Sequence, residues 1–284
     1  MLLSITTSQG NIQAIIDNMD SFNDIKDTIL VYCYGFNGER SDRHRMAVKL
    51  SRQLKVTSIA VLRFDYLGLG ISDGDFVNVT LKTKLKDTLA VIRFIERRIP
   101  QISNIIFLGF SDGASIAMAS LTEYAGRLNI LGLLLWSPVL QQDIPIIKTN
   151  MHLKGENTKS NDSELFSYNW DKEIRSRPVV NNKEIAFPVY GLWKNIKYSN
   201  LNDTRSIRTF IKRKVPTCII CPEGDDLVVP TARRLLRDLR GNATIHHILN
   251  SDHTFNHSDW EAEVRNHSYF WIRGLLDDST ILDK

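Results

Sequence analysis

The sequence predicts an α/β fold: a mostly parallel central sheet with helices on both faces and an inserted cap. Three observations predict it. Short apolar runs alternate with amphipathic segments over most of the 284 residues. A serine turn, Gly109-Phe110-Ser111-Asp112-Gly113, stands between the apolar run Ile105-Ile106-Phe107-Leu108 and a small-residue helical stretch, Ala114 to Ala119. From about Leu140 to Thr204 the alternation fails, and aromatic residues are scattered among polar ones.

Taken in order, Leu2 to Thr7 and Ile12 to Ile16, joined around Gln9-Gly10, read as an antiparallel hairpin. Thr28 to Tyr34 reads as the first buried strand. Met46, Leu50 and Leu54 recur at helical spacing, and the strand Ile59 to Phe64 follows. Leu85, Leu89, Ile92, Ile95 and Ile99 trace one helix face, which Pro100 ends. Next come the strand Ile105 to Leu108, the serine turn with its helix, and the buried strand Ile130 to Trp136. The sheet pattern resumes with Thr217 to Cys221, a helix from near Thr231, a strand Thr244 to Leu249 and a terminal helix from about Trp260. A structureless loop as long as 140–204 does not suit a compact domain, so this stretch is expected to be a cap. The core is then 1–139 with 205–284. Among the cap's aromatics, Phe166, Tyr168, Trp170, Tyr190 and Trp193 are candidates to line a substrate pocket, and a small aromatic core would explain them equally well.

Composition narrows the function. With 43% hydrophobic and 24% charged residues the chain can bury a full core, so disorder is not indicated. The first ten residues lack a basic cluster and an apolar segment, and no apolar stretch approaches spanning length; a cytoplasmic location is expected. Cys33, Cys218 and Cys221 are too few for a disulfide framework. The odd separation of Cys218 and Cys221 puts them on opposite strand faces, so buried apolar thiols are expected rather than a metal or redox pair. The net charge of +4 comes without a basic stripe interleaved with aromatics, which argues against nucleic-acid binding. The densest basic cluster is Arg205, Arg208, Lys212, Arg213 and Lys214, either a solvated face or a docking face for an anionic substrate or an acyl carrier protein.

The serine turn carries the chemistry. A strand-to-helix turn this tight strains the serine backbone, and glycines two residues before and after it avoid a clash. The following helix aims its first N–H groups at the space before the hydroxyl, where an oxyanion would form. Two further segments follow strands and so reach the same sheet edge: Cys221 to Pro230, with Glu223, Asp225 and Asp226, and Asn250 to Phe255, with Asp252 and His253. Among the seven histidines, His246 and His247 fall inside the last strand, His44 and His152 among polar neighbours, and His257 and His267 in or near the terminal helix.

The order Ser, Asp, His is that of the α/β-hydrolases, which the chain resembles over nearly its whole length apart from the cap. The turn G-F-S-D-G, the segment D-L-V-V-P and the segment D-H-T-F are similar to that family's nucleophile, acid and histidine motifs, and Arg63 to Gly74 resembles its loop after the second parallel strand. The capped serine-aminopeptidase-like and acyl-esterase or thioesterase set resembles it most. The resemblance implies a catalytic triad of Ser111, Asp226 and His253, the acid being counted four residues before Pro230. Tyr34-Gly35-Phe36-Asn37-Gly38 resembles the family's H-G-F-x-G, with Tyr34 where histidine is usual, and implies that the backbone N–H groups of Phe36 and Asp112 form the oxyanion hole. The expected enzyme is a carboxylesterase or thioesterase that forms an acyl-enzyme on Ser111 and needs no metal or cofactor. The alternatives are a carrier-protein-dependent thioesterase or acyltransferase, and a non-catalytic binding protein on the same fold.

Overall fold

In the computed structural model, residues 1–140 and 209–282 are described, apart from positions 23, 25, 37 and 58. Among the described residues, eight strands form one sheet in the order β1-β2-β4-β3-β5-β6-β7-β8. They are β1 (Leu2–Thr7), β2 (Gly10–Asp17), β3 (Thr28–Cys33), β4 (Ile59–Phe64), β5 (Asn104–Phe110), β6 (Asn129–Trp136), β7 (Thr217–Pro222) and β8 (Ala243–Ile248). The hairpin is antiparallel, with Leu2 opposite Ile15, and β2 runs antiparallel to β4. Every pairing from β4 through β3 to β8 is parallel. β3, β4 and β7 are buried along their whole length, which is why they read as unbroken apolar runs.

The helices that lie wholly within the described residues are α1 (Met46–Gln53), α2 (Leu81–Arg98), α3 (Gly113–Glu123), α4 (Val228–Asp238) and α5 (Ser258–Leu282). The step from β3 to β4 runs one way across the sheet and the steps from β4 to β5 and β6 run the other. Right-handed crossovers therefore put α1 on one face and α2 and α3 on the opposite face. Packing agrees: α2 lies against α3, and α5 returns to lie against α1. The order reverses beside β3, so the loops leaving β3 and β5 part there and open a crevice at the carboxyl ends of the strands.

Two helix starts depart most from the sequence reading. α2 starts at Leu81, one turn ahead of Leu85, because Thr80 and Thr83 form a reciprocal capping box. α4 starts at Val228 rather than near Thr231, since Pro230 falls in its first turn, where no N–H is needed for the helix ladder. All three cysteines are free and buried. Burial pushes Cys33 and Cys218 up to about 12 and Cys221 to about 11, so none is poised as a thiolate. No described helix is long and apolar enough to cross a membrane. The cap expected over 140–204 lies, but for its first residue, outside the described residues. With it go Phe166, Tyr168, Trp170, Tyr190 and Trp193.

Candidate active site

Ser111 caps the end of β5 with a backbone φ of 55°, a left-handed conformation for a residue with a Cβ. Its neighbours hold it there. The Ser111 N–H donates to Trp136 O at 3.0 Å, and its carbonyl accepts from Val139 N at 3.0 Å and Ala114 N at 3.1 Å. The flanking glycines are required by contact: a Cβ at Gly109 would stand 2.7 Å from Ala114 Cα, and one at Gly113 only 2.1 Å from Cys33 O. The second contact shows how closely α3 is drawn under the end of β3.

His253 follows β8 and faces the turn. Its Nε2 lies 2.9 Å from Ser111 Oγ and its Nδ1 lies 2.5 Å from Asp225 Oδ2. Ser137 Oγ donates to His253 O at 2.7 Å, and the Phe110 ring stands 5.7 Å from the imidazole, so the ring is held from both its backbone and one face. The loop that carries it is tied by Asp252 Oδ1, which accepts from Thr254 N at 3.1 Å and Asn256 N at 3.0 Å.

The carboxylate at the imidazole is thus Asp225, and the expectation for Asp226 is corrected. Asp225 sits in the turn that leads into α4: Val228 N and Val229 N donate to its carbonyl at 3.2 and 3.1 Å, and its Oδ1 accepts from Leu227 N at 2.9 Å and Val228 N at 3.2 Å. That turn holds the side chain inward, leaving Oδ2 for the imidazole. Asp226, one residue on, is exposed. Burial pushes the Asp225 carboxyl up, but its bond and charge contact with His253 and the two amides outweigh burial and hold it below the usual carboxylate value.

The two backbone segments expected to bind an oxyanion are brought together. A Cβ at Gly35 would lie 2.9 Å from Ser111 Cβ, so the chain before Phe36 passes directly beside the nucleophile. Asp112 is the next residue along the turn. Tyr34 is fully buried, and its hydroxyl accepts from Tyr66 N at 2.9 Å while its ring lies 4.6 Å from that of Tyr66. The residue that departs from the family pattern therefore ties this first loop to the loop after β4. That second loop is itself organised by Asp65, fully buried, which pairs with Arg40 and accepts from Arg40 N at 2.7 Å and Ile71 N at 3.1 Å. The Arg63 to Gly74 motif is a scaffold here.

Beneath both oxyanion segments lies a residue that motif reading passed over, Lys84 of α2, fully buried. Its Nζ donates to Gly35 O at 3.0 Å and Phe36 O at 2.9 Å and stands 3.6 Å from Asp112 Oδ2. Neither Asp112 carboxylate oxygen has a hydrogen-bond partner among the described residues. Burial lowers the affinity of Lys84 for its proton and raises that of Asp112, each opposed by the other's charge.

The other histidines among the described residues stand apart from this line, and His152 lies outside them. His246 stacks on His267 at 4.2 Å, His247 is 3.7 Å from Glu223, and His44 Nε2 meets Asn256 Oδ1 at 2.5 Å. No group of His, Cys, Asp or Glu among the described residues is arranged to hold a metal ion.

A serine, an imidazole and a carboxylate in hydrogen-bonded line, at the switch point of a parallel sheet, make a recognisable constellation. Residues 26–178, more than half of the chain, match the family model described as Serine aminopeptidase, S33, a hydrolase family. The chain belongs to that family. Solved structures share the fold. Est1E from Butyrivibrio proteoclasticus with ferulic acid bound is 20% identical, with a TM-score of 0.68 over 95% of this chain and 98% of its own. An esterase of Pyrococcus furiosus is 16% identical, with a TM-score of 0.69 over 97% of this chain and 90% of its own. An esterase of Exiguobacterium antarcticum is 16% identical, with a TM-score of 0.62 over 95% and 99% of the two chains. A search of curated proteins by sequence gives no match.

Proposed function

We propose that the protein is a serine hydrolase that cleaves a small carboxylic ester or thioester through an acyl-enzyme on Ser111. The observation that carries this is the unbroken line from Ser111 Oγ through His253 to Asp225, with contacts of 2.9 and 2.5 Å. His253 Nε2 takes the serine proton as Oγ attacks the acyl carbon, and Asp225 holds Nδ1–H and the charge that forms on the ring. The backbone N–H groups of Phe36 and Asp112 receive the negative oxygen. Collapse breaks the bond to the alcohol or thiol, which leaves with the proton from Nε2. Water then attacks the acyl-enzyme, gives a proton to His253, and the carboxylic acid departs as Ser111 regains its hydrogen.

A carrier-bound substrate is the weaker reading. Of the basic cluster, Arg213 is engaged within the fold, donating to Leu121 O at 2.6 Å and Thr122 O at 3.3 Å, and Arg205 and Arg208 lie outside the described residues. A non-catalytic binding role leaves the aligned line and the strained serine without a purpose.

The test is a panel of p-nitrophenyl esters, acyl thioesters, a hydroxycinnamoyl ester and aminoacyl amides, run on wild type and Ser111→Ala, with fluorophosphonate labelling alongside. Loss of turnover in the variant by about 10⁶ and an adduct on Ser111 are expected. Activity retained by Ser111→Ala, or a wild type that neither turns over nor labels, would refute the proposal.

A further inference from the structure

An amphipathic helix rarely directs a lysine to its buried face, because an ammonium out of water must be fully paired. α2 does so at Lys84, between Leu81 and Thr88 on its buried side. The pairing is specific. Gly35 C=O, which accepts from Lys84 Nζ at 3.0 Å, is the far end of the same peptide group whose N–H belongs to Phe36. A charged donor on a peptide oxygen draws electron density toward that oxygen and makes the opposite N–H a stronger donor. The adjoining Phe36 O takes a second bond at 2.9 Å, which fixes the peptide plane. The third direction of the ammonium faces Asp112 Oδ2 at 3.6 Å, on the residue that supplies the other oxyanion N–H. The rings of Tyr34 and Tyr66, with centroids 5.6 and 5.1 Å from Nζ, close off the remaining space.

We infer that Lys84 is a positioning residue that clamps the two halves of the oxyanion hole to each other and polarises the Gly35–Phe36 peptide toward the developing oxyanion. The inference rests on the serine hydrolase reading above. It accounts for Asp112 as well: a carboxylate buried beside the nucleophile is tolerated because the clamp's charge sits next to it.

Removing Lys84 alone would strand the Asp112 charge, so the test uses the full-length double variant Lys84→Met/Asp112→Asn, with Lys84→Gln/Asp112→Asn as a second. The probes are p-nitrophenyl acetate for kcat and KM, and an aryl boronic acid as a mimic of the tetrahedral oxyanion; thermal unfolding is followed in parallel. A single oxyanion donor is worth about 10²–10³ in turnover, and weakening one rather than deleting it should lower kcat by about 10–100-fold. KM should move by less than about threefold, boronate affinity should fall in step with kcat/KM, and the Gln variant, with a neutral donor, should recover part of the loss. Should the Met variant fail to fold, the Gln variant carries the same comparison. Wild-type kcat in a folded double variant, or a fall in kcat with boronate affinity unchanged, overturns the inference while leaving the hydrolase reading in place. A wild type inert to both ester and fluorophosphonate removes the hydrolase reading itself.

Discussion

Replacing Asp225 with asparagine separates the carboxylate's two jobs. Asparagine caps helices as well as aspartate does, so one side-chain oxygen can still accept from Leu227 N and Val228 N, and the stability change should stay under about 1 kcal/mol. The other end of the side chain becomes an NH2 group facing His253 Nδ1, now 2.5 Å from a carboxylate oxygen. A donor there favours the imidazole tautomer with its proton on Nε2, which cannot accept the hydrogen of Ser111. The lost attraction for the imidazolium adds to this: unit charges about 4 Å apart at an effective dielectric near 20 interact by roughly 4 kcal/mol. Together these correspond to a fall in kcat of about 10⁴, or about 5 kcal/mol of barrier. Asp226→Asn, measured in the same ester assay, should stay within about twofold, because surface substitutions away from such contacts have little effect. An Asp226→Asn enzyme as impaired as Asp225→Asn, or an Asp225→Asn enzyme keeping a tenth of its turnover, would refute the assignment. There is a stability signature too. The folded Asp225 carboxyl is held below its ordinary value, so its contribution is present above about pH 4 and is lost as pH falls through the lower folded value. Urea unfolding of Asp225→Asn should lack that acid-side loss.

Two further substitutions test the scaffold. Gly113→Ala would put a methyl group 2.1 Å from Cys33 O and 2.7 Å from Tyr34 O, both backbone atoms, so the first loop must move; about 1–3 kcal/mol of destabilisation in urea and at least a 100-fold loss of kcat are expected. Asp87, whose Oδ2 accepts from Leu67 N at 2.9 Å, has its carboxyl pushed by burial to about 7, so the fold favours its neutral form and its ionisation costs stability as pH rises from about 4 to 7. Asp87→Asn should raise the unfolding temperature at pH 8, with a gain of roughly 2–4 kcal/mol that shrinks toward nothing at pH 4.

The sequence carried the sheet well because central parallel strands, buried on both faces, leave apolar runs that need no knowledge of their partners. Ser111 was legible for the same reason, since it directly follows such a run, and His253 because it lies in the loop after the last strand, the ends of parallel strands converging on one edge. Asp225 was not. An offset counted back from Pro230 assumes a fixed turn into α4, whereas the inward carboxylate is chosen by which residue receives the free amides of that turn, here Leu227 and Val228. Lys84 was hidden by its surroundings, since Lys82 and Lys86 flank it and the three read together as one charged run. Helix phase separates them: Lys82 and Lys86 are exposed, while Lys84 shares the stripe of Leu81, Thr88, Val91 and Ile95. A lysine in register with an apolar stripe was the available signal. It identifies a cation but not its partner, because Gly35 and Phe36 lie 49 and 48 residues away and are reached only once the loop after β3 is brought against α2. The groups named by motif are those set by local backbone shape, and the group that aligns them is set by tertiary packing alone. Variation at Lys84 should therefore be coupled energetically to variation at Asp112, and a double-mutant cycle between them should depart from additivity by about 0.5–3 kcal/mol.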